Sequence, residues 1–373
     1  MSSGDGRIDK LGFRELRIPF KMAFRHASAE RAETETAWVE AIGADGTVGS
    51  GESCPRPYVT GETLASAGEF VARHGDSLRR NVRDVDTLKT WMTTHHADID
   101  ANPAAWCAVE LAVLDLLAKW MCVPVEALLS LPPLVGRFRY TAVLGDASAN
   151  TFHAMAEQYW LMGFREFKVK LSHDHVRDRE KMAVFAQWPE GTFRVRADVN
   201  NLWPRAEEAV AALRRIDYPF FAVEEPIAKD RHAELPHIAR MLNCAIVLDE
   251  SFVRREQLSL LEDPPSQWLI NVRVSKMGGM IRSLEVVEAA RGHGVDLVLG
   301  AQVGETSLLT RAALTIARAA GNALVAQEGA FGTWLLERDV CHPPLMFGAD
   351  GVLDAAVYPM VAGPGFGIDR LAG

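Results

Sequence analysis

The feature that most constrains this chain is a series of short apolar runs, each closed by an acidic residue and each about one β-α unit after the last. Asp198 closes Phe193-Arg194-Val195-Arg196-Ala197, Glu224 closes Phe220-Phe221-Ala222-Val223, and Asp249 closes Ala245-Ile246-Val247-Leu248. They follow Lys168 at steps of 30, 26 and 25 residues. Such a period fits successive units of a parallel barrel, whose strand C-termini converge on one face. Three carboxylates on neighbouring strand ends make an oxygen-rich site, which suits a hard divalent cation such as Mg²⁺. The run Phe167-Lys168-Val169-Lys170-Leu171 comes first. Strand side chains alternate faces, so Lys168 and Lys170 point the same way while Val169 packs. Two neighbouring ammonium groups need anions opposite them or one neutral member, and the acids supply the first.

Taken in combination, Lys168-Val169-Lys170, Asp198-Val199-Asn200, Glu224-Glu225-Pro226 and Leu248-Asp249-Glu250-Ser251 resemble the signature of the enolase superfamily. The resemblance is to its mandelate racemase/muconate lactonizing enzyme branch, and it runs from about residue 10 to beyond 350. It implies an α/β fold, a modified TIM (β/α)-barrel with an α+β N-terminal capping domain. The capping domain is expected over residues 1–135 and the barrel over 136–351, with the tail 352–373 returning to the cap. The boundary falls where Pro132 and Pro133 break the chain, before a first barrel strand at Arg139–Leu144.

A chain of 373 residues has room for both parts, and 48% apolar content is ample for a large core. A net charge of −9 argues against nucleic acid and anionic membranes as partners. Five scattered cysteines and no long apolar run point to a reduced, cytoplasmic setting. A small-molecule carboxylate is the expected partner, and a homo-oligomer the expected assembly.

Within the cap, Leu11–Pro19 and Thr34–Ile42 read as strands around a polar, basic loop from Phe20 to Arg31. Residues 63–130 read as helical, with an amphipathic stripe along Ala104–Trp120. The loop 20–31 and the proline-rich loop 52–62 correspond to those that close over the barrel mouth in the family. Arg25, His26, Arg56 and Tyr58 are therefore expected to bind substrate, and a basic lid suits an anion such as an amino-acid derivative or a dicarboxylate.

The resemblance implies one Mg²⁺ per subunit on Asp198, Glu224 and Asp249, supported by Asn200, Glu225 and Glu250. It implies abstraction of the α-proton of a small carboxylate to a metal-stabilised enediolate. A lysine is a base only when neutral, and a nearby ammonium and cation both favour the neutral form. Lys170 takes that role and Lys168 the role of neighbouring charge. The pattern departs from the family on the sixth strand. Where a second basic lysine is expected six positions before the second glycine of Gly278-Gly279, this chain has Asn271-Val272-Arg273. Arginine is a poor base but anchors a carboxylate well. Lys276 has the opposite strand parity and is expected to face away from the barrel centre.

One working base favours muconate-cycloisomerase-like chemistry, with syn-dehydration or racemisation of an amino-acid derivative as alternatives. Dipeptide epimerases of this branch carry Asp-x-Asp on the eighth strand, whereas this chain has Gln327-Glu328-Gly329. Glu328 is the candidate there for holding a substrate cation alone, with a structural or supporting acid as the favoured reading, and Glu305 matches another acidic position of the branch. A Schiff-base lysine enzyme and an inactive metal-binding relative are the competing readings. The first gives the three acids no task, and the second leaves the retained lysines and acids unexplained.

Overall fold

The computed structural model describes residues 6–26, 29–172, 174–261 and 264–368, with the backbone alone over 22–26 and 29–30. Strands β1 (Ile8–Leu16), β4 (Thr36–Gly43) and β5 (Val48–Ser53) form an antiparallel sheet in the order β1-β4-β5. Between them the expected loop is a hairpin of β2 (Pro19–His26) and β3 (Ala29–Glu33). Its polar residues hid the strand pattern, because strands are read from runs of apolar and β-branched residues and this segment has few.

The helix Pro103–Trp120 lies on this sheet. It is buried from Pro103 to Ala118 and so is not the amphipathic helix expected from its stripe. It lies between the cap sheet and the barrel and has almost no solvent face. Gly49 and Gly51 allow that approach, since a Cβ on Gly51 would stand 1.9 Å from the Ala108 carbonyl oxygen. Two acids of this region reach across to barrel helices. Glu110 accepts from the Met280 and Ile281 amides at the start of helix Met280–Gly292. Glu52 accepts from the Thr306 and Leu309 amides at the start of helix Ser307–Ala320.

Eight parallel strands follow in sequential order: β7 (Ala142–Leu144), β8 (Glu166–Lys170), β9 (Arg194–Asp198), β10 (Ala222–Glu224), β11 (Ala245–Leu248), β12 (Trp268–Val272), β13 (Asp296–Leu299) and β14 (Leu324–Gln327). The seam between last and first is bridged by the Thr141 amide donating to the Gln327 carbonyl at 2.7 Å. Arg137–Arg139 (β6) is not part of the first barrel strand. It pairs antiparallel with β15 (Val352–Asp354) instead. Beyond β15 the tail meets the N-terminal region, where the Val125 amide donates to the Gly365 carbonyl at 2.9 Å. Among the described residues no helix is long and apolar enough to cross a membrane.

Candidate active site

Parallel register places Lys170 opposite Asp198 on β8 and β9, and Asp198 opposite Glu224 on β9 and β10. These three therefore sit side by side at the C-terminal mouth. One level deeper Lys168 pairs with Arg196. The inner wall over β10–β14 is a small apolar patch of Ala222, Val247, Leu269, Val298 and Ala326. The charged groups fill the space on the β8–β9 side.

Lys168 is the hub. Its ammonium lies 3.1 Å from Asp198 Oδ2, 2.9 Å from Glu224 Oε1 and 3.2 Å from Glu328 Oε1. Burial disfavours its charge, but those three carboxylates outweigh burial and hold its pKa above the ordinary lysine value. Burial likewise pushes Asp198 up, yet Lys168 and Lys170 hold it well below the usual carboxylate range. Glu224 is raised, since burial outweighs the pull of Lys168. Lys170 stands nearer the opening and donates to Asp198 Oδ2 at 3.0 Å and Asn200 Oδ1 at 2.9 Å. Asn200 thus orients this lysine. Glu225 braces the next turn, accepting the Asp249 amide at 2.7 Å and the Ser251 amide at 2.8 Å.

On the far side Arg273 donates to Asp249 Oδ2 and, at 3.1 Å, to Gln302 Oε1. Its guanidinium also comes within 3.9 Å of Glu224. Lys276 does not face away. It is fully buried and donates to the Asp249 carbonyl at 2.7 Å, Asp249 Oδ1 at 3.0 Å and the Asn271 carbonyl at 2.6 Å. Strand parity fails because β12 ends at Val272 and Val274–Met277 is a helical turn. Burial and the neighbouring Arg273 push the Lys276 ammonium down to about 7.

The donor chemistry suits Mg²⁺. Asp198 Oδ1, Glu224 Oε2, Glu250 Oε2 and Asn271 Oδ1 are buried oxygens with no hydrogen-bond partner, and an all-oxygen set favours a hard cation. Glu250 is also raised to about 7 by burial and by Glu225, Asp198 and Glu224. As placed, no three acidic, histidine or cysteine side chains among the described residues stand at metal-ligand spacing. Lys168 and Arg273 lie between the acids as counter-charges, and Asp249 has both oxygens engaged.

The expected lid residues fare differently. Arg56 is buried, not presented to the mouth, and donates to the carbonyls of Glu35, Pro55 and Val303. A loop packed between cap and barrel leaves carbonyls that need donors, and the guanidinium supplies them. Tyr58 is half-buried beside the Arg31 guanidinium, and its carbonyl accepts from Lys229 at 2.8 Å. The side chains of Arg25 and His26 lie outside the described residues. Glu328 is engaged by protein cations. It is buried between Lys168 and Arg196, and despite burial those cations lower its pKa.

Sequence reasoning missed Arg196, Glu166, Asn271 and Gln302. Arg196 carries charge from Glu166 Oε1, at 2.8 Å, to Glu328. Its signal was available, since Arg194, Arg196 and Asp198 share one strand face, as do Glu166, Lys168 and Lys170.

Comparison with known proteins places this geometry. The profile of the Enolase C-terminal domain-like family matches residues 151–370. The hydrophobic dipeptide epimerase of Enterococcus faecalis is 26% identical over 323 residues, covering 85% of this chain and 88% of that protein. The chloromuconate cycloisomerase of Cupriavidus pinatubonensis is 23% identical over 333 residues, covering 87% and 85%. The solved dipeptide epimerase from Methylococcus capsulatus, complexed with Mg and the dipeptide L-Arg-D-Lys, superposes with a TM-score of 0.81 at 26% identity, covering 97% of this chain and 99% of that one.

Proposed function

This chain is an enzyme of the enolase superfamily, in its mandelate racemase/muconate lactonizing enzyme branch, and on that premise we propose that it is a Mg²⁺-assisted racemase or epimerase of an amino-acid derivative. The observation that carries the reading is the placement of Lys170 and Arg273. They stand at the C-terminal ends of β8 and β12, Arg273 just past the last residue of its strand, four strands apart in an eight-stranded barrel and with the acids between them. A carboxylate held there presents one face of its α-carbon to each. Dipeptide epimerases among the relatives support this substrate class over the muconate-cycloisomerase-like expectation.

Asp198, Glu224 and Asp249 would hold the Mg²⁺, which supplies Lewis-acid neutralisation of the substrate carboxylate. Lys170, steered by Asn200 and Asp198, takes the α-proton. Lys168, kept charged by three carboxylates, faces the negative charge that develops. Inversion is completed when Arg273 gives a guanidinium proton to the opposite face of the α-carbon and regains one from solvent, while Lys170 returns its proton to solvent.

Arg273 also favours a second reading. A guanidinium is a poor base, so proton removal from its side is slow, and one-face chemistry such as cycloisomerisation or elimination fits it. Incubation of both enantiomers of dipeptides and N-acylated amino acids in D₂O with Mg²⁺ separates the two. Deuterium uptake with inversion supports the epimerase, whereas uptake by one enantiomer with its configuration retained supports the second reading. No uptake by any carboxylate in the panel would remove both.

A further inference from the structure

The opposite end of the barrel holds a cavity of about 530 Å³ that the chemistry at the mouth does not use. It is framed by the N-terminal ends of β8, β9 and β14, by β6, and by the end of helix Ser307–Ala320. Five arginines line it, Arg137, Arg139, Arg165, Arg194 and Arg318, against one acid, Glu166. In a chain of net charge −9 this is a pronounced local reversal of sign.

Glu166 cannot neutralise the group. Its Oε1 serves Thr141 and Arg196, and its Oε2 serves Arg194. Arg137 is only 3.9 Å from Asp354 and largely exposed. Arg139 reaches the Asp350 carbonyl at 3.3 Å, and Arg165 lies 3.8 Å over the Trp160 ring. Arg318 is exposed and has no ion pair or hydrogen bond among the described residues. Like charges around a concavity raise its potential and attract counter-ions. Guanidinium groups match phosphate and carboxylate oxygens two at a time. The volume falls in the range of small-molecule sites, roughly 300–1,000 Å³.

We propose that this cavity at the N-terminal end of the barrel binds a small polyvalent oxyanion, bearing phosphate or carboxylate groups, between Arg137, Arg139 and Arg318. The site is independent of the chemistry at the mouth.

The test is calorimetric titration of the Mg²⁺-free protein with tripolyphosphate and, separately, with citrate. Saturable binding of either probe is expected, and which one binds distinguishes phosphate from carboxylate recognition. The triple substitution Arg137→Ala, Arg139→Ala, Arg318→Ala should weaken it by about tenfold or more, as loss of several charge-assisted contacts implies. Arg194 is left in place because it bonds Glu166. Should the triple variant fail to fold, Arg318→Ala alone, at an exposed position, carries the same expectation in direction. Lys170→Ala should bind as the unmodified protein does. Absence of saturable binding, binding untouched by the arginine substitutions, or binding lost in Lys170→Ala would each overturn the proposal.

Discussion

Lys168 and Glu328 meet inside the barrel, with 3.2 Å between the ammonium nitrogen and Glu328 Oε1. Around this pair the charges alternate from one end of the barrel toward the other. Arg194 binds Glu166, Glu166 binds Arg196, Arg196 binds Glu328, and Lys168 passes on to Asp198 and Glu224. A buried charge is tolerated only when paired, so each member supports the next.

Replacing Glu328 by Ala leaves two buried cations short of an anion. Breaking a buried pair in this way costs about 3–5 kcal/mol, and urea denaturation should show a loss of that size. A loss below about 1 kcal/mol, as for exposed pairs, would mean that the other acids suffice.

Lys170→Ala should reduce α-proton exchange by roughly two to four orders of magnitude, the usual contribution of a positioned general base. The thermal midpoint should change little, because the Lys170 side chain, 13% exposed, is less buried than those of Lys168, Arg273 and Lys276. Retained exchange in this variant would assign the base to another group.

Arg273→Lys should preserve a cation opposite Asp249 and add a group able to lose its proton. Exchange from the face opposite Lys170 is expected to rise, and inversion with it, measured by polarimetry and by proton resonance in D₂O. An unchanged ratio between enantiomers would show that Arg273 does not limit turnover on its side.

The two acids that cap barrel helices make stability depend on pH. Burial pushes Glu110 up to about 8 and Glu52 up to about 7, outweighing the amides that donate to them. Both folded pKa values exceed the unfolded carboxylate value, so the folded state binds the proton more tightly. That stabilisation is complete below about pH 4.5 and is lost as pH rises through the folded values. In Glu110→Gln the single amide oxygen replaces the two carboxylate oxygens that accept from Met280 and Ile281, a loss that does not vary with pH, and the side chain cannot titrate. The stability of the unmodified protein relative to this variant should fall by up to about 1.4 kcal/mol per pH unit between pH 4.5 and 8, then level off. A difference that is constant with pH would place the Glu110 pKa near its ordinary value.

The order of the barrel was legible in the chain because strand-end acids recur at the length of one β-α unit, and that length is set by local geometry. Lys168, Lys170, Asp198 and Glu224 could be assigned to one face for the same reason, since alternation along a strand is a local rule. Three things lay beyond such rules. Lys276 points to Asp249 because the strand stops four residues earlier, a boundary fixed by packing. Arg56 turns inward because carbonyls of Glu35 and Val303, distant in sequence, need donors there. Arg137, Arg139, Arg165, Arg194 and Arg318 become neighbours only when β6, β8, β9 and a helix end meet around one opening. Periodicity is written along the backbone, whereas the partner of a buried charge is chosen by whichever opposite group the closed barrel brings within reach.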